Sequence, residues 1–128
     1  MEIHIKTIPH SEHRYPTCGD YWEDSDGVLQ IRVSEMGNED YEYLVAGHEL
    51  RESYLCKKRG IAEPDITAFD IQFDKDGKEG EPGDDPLSPY RREHFFSTSI
   101  ERLEAAELNV DWGKYDEAID SLFDKEDK

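Results

Sequence analysis

Apolar residues alternate with polar ones along the first third of the chain. This period predicts three short strands, at residues 3–8, 20–22 and 28–33. Residues 24–27 end in Asp-Gly, which supplies the positive φ that a tight hairpin needs, and so predict a turn between the last two strands. The pattern therefore predicts a small N-terminal antiparallel sheet of about three strands.

A long helix is predicted next, because apolar positions now recur every three or four residues. Asn38 is a favourable N-cap, and acidic residues follow it in the first turn. Basic residues at 57–59 and then Gly60 mark the end of the helix. The face predicted to point inward carries Tyr41, Leu44, Val45, His48, Glu52, Leu55 and Cys56.

About three further helices are predicted, at residues 64–73, 88–108 and 111–123. Residues 74–87 are rich in Gly, Pro and charge and predict a flexible loop. Residues 124–128 predict a charged tail. The prediction is a single α+β domain over residues 1–123. The inner face of its third helix is expected to carry Phe95, Phe96, Ile100, Leu103 and Ala106.

Two ionisable residues interrupt the apolar face of the first helix. His48 and Glu52 are four residues apart and lie one turn above the other, while Glu49 lies about 100° round the helix. Two side chains at this spacing can converge on one metal ion. The sequence therefore predicts a divalent-metal site on this helix.

The H-E-x-x-E string at 48–52 resembles the H-E-x-x-H helix of zincin-type metalloproteases. In that family the first and last motif residues bind zinc and the glutamate is the general base. The resemblance implies His48 and Glu52 as metal ligands, Glu49 as the catalytic base and a peptide or amide substrate. Zinc is the leading expectation. Because Glu52 stands where the family has histidine, and a carboxylate suits harder ions, Mn²⁺ and Mg²⁺ are the alternatives.

A third ligand must come from elsewhere in the chain, and two residues compete for this position. His94 lies near the start of the third helix, beside the loop at 74–87. Asp70 lies on the apolar stripe of the second helix, where a capping role or a buried salt bridge to Arg59 is the alternative to metal binding. The sequence leaves both residues open.

The chain as a whole resembles small acidic proteins encoded by tailed phages and prophages. That group has no established activity, so the resemblance implies no mechanism. The resemblance implies a protein made in the cytoplasm of an infected bacterium. It rests on the strings TIPHS at 7–11, YPT at 15–17, LQIRVS at 29–34, HEL at 48–50, GEPGDDP at 80–86, REHFF at 92–96 and AAEL at 105–108.

Charge limits the partners that can be expected. The chain of 128 residues has 15 basic and 32 acidic side chains, a formal net charge of −17. Such a charge repels nucleic-acid phosphates and anionic lipid, so neither direct nucleic-acid binding nor membrane docking is expected. An alternative to the hydrolase is a DNA mimic that binds a basic host protein. A third hypothesis, a Mg²⁺-dependent helical nucleotide pyrophosphohydrolase, uses Glu49 and Glu52 but conflicts with the predicted sheet.

Overall fold

The computed structural model describes residues 1–124 and contains three strands followed by four α-helices. This confirms the predicted α+β class. The predicted tail lies outside the described residues, apart from Asp124 at the end of the last helix. The elements are β1 (Ile3–Ile8), β2 (Gly19–Glu23), β3 (Leu29–Ser34), α1 (Glu39–Lys58), α2 (Glu63–Lys75), α3 (Arg91–Glu107) and α4 (Trp112–Asp124), with 3₁₀ turns at His10–Glu12 and Pro82–Asp84.

The sheet is mixed, with the strand order β1-β3-β2. β2 and β3 form the predicted antiparallel hairpin, and Gly27 in its turn has a φ of 80°. β1 instead pairs with β3 in parallel, so the expectation of a wholly antiparallel sheet is wrong for this strand. The connection at residues 9–18 passes over the end of β3 and places β1 and β2 on opposite sides of it.

α1 begins and ends where the sequence predicts. The Asn38 side chain accepts a hydrogen bond from the Tyr41 backbone amide at 3.1 Å, and Gly60 adopts a φ of 73° just beyond the helix. The helix packs against both the sheet and α3. The core that it closes contains Tyr21, Ile31, Val33, Leu44, Val45, Cys56, Ile66, Tyr90, Ala105 and Tyr115.

α3 turns the opposite face inward from the one predicted. Phe95 and Leu103 are 70% and 64% exposed, and Phe96 is 49% exposed. The buried residues of this helix are Glu93, His94, Ser97, Glu101 and Ala105. α3 packs along α1, whose buried His48 and Glu52 need polar partners, and this requirement outweighs burial of the aromatic side chains.

The segment between α2 and α3 packs on the body of the protein. The Pro82–Asp84 turn contacts both helices, and Gly83 within it is buried. The predicted flexibility of residues 74–87 stays a prediction. Among residues 1–124, no helix has the length and apolar character needed to cross a bilayer.

Candidate metal centre

Two elements distant in the sequence bring three donor side chains together. His48 and Glu52 project from α1, and His94 projects from the first turn of α3. Glu52 Oε2 lies 2.9 Å from His48 Nε2 and 2.9 Å from His94 Nδ1, while the two nitrogens are 3.2 Å apart. All three residues are buried. In the described part of the chain, they form the one group of three or more His, Cys, Asp or Glu side chains with donor atoms this close.

Local packing holds the two helices in this register. Ser97, one turn after His94, is fully buried, and its hydroxyl donates to the His48 backbone carbonyl at 2.7 Å. The Arg51 guanidinium of α1 donates to Glu104 of α3 at 2.7 Å. The fully buried Ser97 contact fixes where α3 crosses α1, and so it fixes the position of His94 relative to the α1 motif. The Arg51–Glu104 pair is partly exposed to solvent and contributes little to this positioning.

The distances fit the geometry of a small divalent ion. Donor atoms about 2.1 Å from a tetrahedral zinc ion are roughly 3.4 Å apart. The observed separations of 2.9–3.2 Å need to widen by only a few tenths of an ångström. Two imidazoles and one carboxylate are also a ligand set found in catalytic zinc sites, which leave a fourth position open. The donor set therefore fits a metal ion in both spacing and chemistry.

The remaining polar atoms of the three donors also have partners. His48 Nδ1 is 2.7 Å from Glu101 Oε1, and His94 Nε2 is 3.4 Å from Asp84 Oδ1. The Tyr21 hydroxyl donates to Glu52 Oε1 at 2.9 Å. Such outer contacts orient metal-binding side chains. They leave His48 Nε2, His94 Nδ1 and Glu52 Oε2 as the atoms that face one another.

The pKa values of the three donors are set by two opposing effects: burial disfavours the charged form of each group, and hydrogen bonds to oppositely charged neighbours favour it. Burial acts to raise the pKa of Glu52, but hydrogen bonds from His48 and His94 reverse this and lower the pKa to about 2. Burial acts to lower the pKa of His48, yet hydrogen bonds to Glu101 and Glu52 hold it well above the ordinary value. The pKa of His94 is also raised, because its hydrogen bond to Glu52 outweighs burial. Glu52 is therefore ionised, and its negative charge stabilises a proton or a metal ion bound to either imidazole.

Glu49 is buried next to these residues but differs from them in its environment. Its carboxylate lies against the backbone of Gly19 at the start of β2, where a Cβ atom would be only 2.5 Å from Glu49 Oε1. Burial and then the charge of Glu52 raise the pKa of Glu49 well above its usual value. A carboxylate with a high proton affinity beside a potential metal site has the property required of a general base.

Asp70 does not join the cluster of donor atoms. Its carboxylate accepts hydrogen bonds from the hydroxyls of Tyr90 at 2.5 Å and Tyr15 at 3.1 Å. Burial raises its pKa to about 7, although both tyrosine hydrogen bonds oppose the rise. The alternative salt bridge to Arg59 is also absent, because Arg59 pairs with Glu93 at 2.6 Å. Of the two candidates for the third ligand, the structure brings only His94 to His48 and Glu52.

Glu101, Tyr115 and Asp84 belong to the surroundings of the site but were not predicted from the sequence. A signal for Glu101 is present, because His94, Ser97 and Glu101 follow the i, i+3, i+7 spacing of one helix face. That polar stripe was outweighed by the aromatic residues on the opposite face. Tyr115 and Asp84 carry no comparable local signal, since only the tertiary fold brings Tyr115 to Glu101 and Asp84 to His94.

Comparison of the chain with protein-family models, with curated proteins and with solved structures found no match.

Proposed function

We propose that His48, Glu52 and His94 bind one divalent metal ion, with zinc as the first candidate, and that the protein is a metal-dependent hydrolase of peptide or amide bonds. The observation that carries the proposal is the convergence of three buried donor atoms within 2.9–3.2 Å of one another. Two imidazoles, each of which gives up the proton on its donor nitrogen when a metal ion binds, favour zinc over Mg²⁺, which prefers oxygen ligands.

The residues divide the chemical work between them. A bound divalent ion acts as a Lewis acid and lowers the pKa of a water molecule bound to it. Glu49, which is buried near Glu52, would be the general base that takes up a proton at its carboxylate. The backbone of Gly19 holds the Glu49 carboxylate in place, because it lies directly against the side chain. This assignment follows the roles of the H-E-x-x-H helix that the motif resembles.

Metal binding is the first experiment. The protein is stripped with a chelator, titrated with Zn²⁺ or Mn²⁺ by calorimetry, and analysed for bound metal after dialysis. We expect about one zinc ion per chain in the wild type and little in His48→Ala. His4→Ala is the matched control, because His4 lies on β1 and its imidazole pairs with nearby Glu2 at 2.8 Å. A wild type that binds neither ion would overturn the proposal.

Glu49→Gln separates binding from catalysis. The amide retains the shape of the side chain but cannot accept the proton, so we expect zinc affinity to persist while hydrolysis falls about 100-fold or more. The assay incubates zinc-loaded protein with a mixed peptide library and counts new amino termini by mass spectrometry. Equal cleavage by the wild type and Glu49→Gln would remove Glu49 from the mechanism. The absence of cleavage by zinc-loaded wild type would refute the peptidase assignment and leave only a metal-binding protein.

A further inference from the structure

Glu101 is a buried carboxylate that the proposed hydrolysis does not use. It projects from α3 and is 6% exposed. Its Oε1 atom lies 2.7 Å from His48 Nδ1, and its Oε2 atom accepts a hydrogen bond from the Tyr115 hydroxyl at 2.5 Å. Both of its oxygens are therefore held by specific side chains inside the protein.

Tyr115 is the most deeply buried residue of this chain of contacts. It lies in α4 and is 1% exposed, and its ring contacts those of Tyr41 and Trp112 at centroid distances of 5.2 and 5.4 Å. Such packing leaves the hydroxyl little freedom to move. The hydroxyl thus fixes Glu101, and Glu101 in turn contacts the one His48 nitrogen that points away from Glu52.

We propose that Glu101, held by Tyr115, is a positioning residue for His48 that keeps Nε2 directed at the metal ion. A carboxylate that accepts a hydrogen bond from Nδ1–H fixes both the tautomer and the ring orientation, and leaves the lone pair of Nε2 free to bind. The inference rests on the proposed function, because it concerns the same metal site. It makes α4 part of that site, although its Tyr115 is 67 positions after His48.

The protein contains a matched control pair. Glu104, one turn after Glu101 on α3, also accepts a hydrogen bond from a tyrosine, Tyr43, at 3.1 Å. Its other carboxylate oxygen pairs with Arg51 rather than with a histidine. Glu104→Gln and Tyr43→Phe therefore remove the same kinds of group, a carboxylate of α3 and a tyrosine hydroxyl that donates to it, without touching His48.

The experiment measures Co²⁺ affinity of the full chain by competition with a chromophoric chelator. Loss of such an outer contact weakens metal binding about 10- to 100-fold, which is the decrease we expect for Glu101→Gln. Tyr115→Phe removes one hydroxyl and is expected to cause a smaller loss, about 3- to 10-fold. Glu104→Gln and Tyr43→Phe should bind Co²⁺ as the wild type does.

A spectroscopic measurement distinguishes positioning from a general loss of stability. In the Co²⁺-loaded wild type, the Nδ1–H proton of His48 should give a paramagnetically shifted NMR signal that exchanges slowly with solvent. In Glu101→Gln this signal should move and exchange faster, because the charged acceptor is gone. Tyr115→Phe serves as the second test if Glu101→Gln does not fold, since the ring that packs against Tyr41 and Trp112 remains.

The outcomes separate the two claims. If the wild type binds no Co²⁺, the metal centre itself is wrong and the positioning role is wrong with it. If the wild type binds Co²⁺ but Glu101→Gln or Tyr115→Phe binds as tightly as its control variant, only the positioning role is refuted. Weaker binding together with an altered His48 signal supports both claims.

Discussion

At the scale of single residues, the position of the His94 imidazole depends on Gly83, which precedes it by eleven positions. The backbone of Gly83 lies against the imidazole, and a Cβ atom there would be 2.5 Å from Nδ1, the atom that faces Glu52. Asp84, the next residue, lies 3.4 Å from His94 Nε2. The Pro82–Asp84 turn therefore affects His94 in two ways. Gly83 limits the position of the imidazole ring, and Asp84 lies near the nitrogen that faces away from Glu52.

Gly83→Ala should disturb the site through this contact. The added methyl group forces the turn or the ring to move, and overpacking of this kind costs about 1–3 kcal/mol. We expect a lower free energy of unfolding in urea and weaker zinc binding by calorimetry. Gly113→Ala in α4 is the control, because its Cβ atom would meet only Asp111 Oδ1 at 3.3 Å. Unchanged stability and zinc affinity in Gly83→Ala would contradict the contact.

The sequence predicted the part of the site that depends on local geometry. The spacing of His48 and Glu52 fixes their shared helix face whatever the rest of the chain does. The choice between His94 and Asp70 depends instead on which of them the tertiary fold brings to that face. Tyr15 and Tyr90 hold Asp70 elsewhere, and no local pattern in the sequence reveals those contacts.

At the scale of elements, α3 shows where hydrophobic periodicity fails. Its aromatic stripe predicts one inner face, but its buried face is polar because it supplies partners for α1. The other helices and the β2–β3 hairpin formed near the predicted positions, since caps and turns act locally. A helix that contributes a buried polar site can therefore be assigned the wrong face when only apolar positions are counted.

Phe95→Ser tests the orientation of α3. Because Phe95 is 70% exposed, we expect the free energy of unfolding to change by about 0.5 kcal/mol or less. Leu44→Ala, at a fully buried position on α1, should cost about 2–5 kcal/mol in the same urea titration. A loss of several kcal/mol in Phe95→Ser would show that the aromatic face is buried.

Asp70 links three segments through its two tyrosine partners, and this link should depend on pH. Its folded-state pKa of about 7 is above its ordinary value of 3.8. The carboxyl group therefore contributes stability that is fully present below about pH 4 and is lost as the pH rises through 7. The difference corresponds to at most about 4 kcal/mol.

The measurement is urea unfolding at pH 4.5 and 7.5 for the wild type, Asp70→Asn and Asp74→Asn. We expect Asp70→Asn to lose less stability than the wild type between these two pH values, because asparagine does not titrate. Asp74 is an exposed residue of the same helix, so Asp74→Asn should keep the pH dependence of the wild type. Identical pH dependence in all three proteins would contradict the raised pKa.

At the scale of the whole molecule, the chain has a formal net charge of −17, and the candidate metal centre itself contains the buried acidic residues Glu49, Glu52 and Glu101. This charge favours cations over phosphate-bearing ligands, in agreement with a metal centre. The same net charge is the basis of the alternative hypothesis, in which the protein binds a basic host protein as a DNA mimic, and that hypothesis stays a prediction. Capture of such a partner at low salt that persists in His48→Ala would favour the DNA-mimic hypothesis, because the acidic surface and not the buried cluster would then carry the binding.

The central claim is that a metal ion lies between His48 Nε2, Glu52 Oε2 and His94 Nδ1. The most direct measurement is anomalous X-ray scattering from crystals of the zinc-loaded protein, recorded on both sides of the zinc absorption edge. We predict one strong anomalous peak about 2.1 Å from each of these three atoms. A difference map with no peak at this position, or with zinc bound only to surface carboxylates, would contradict the account.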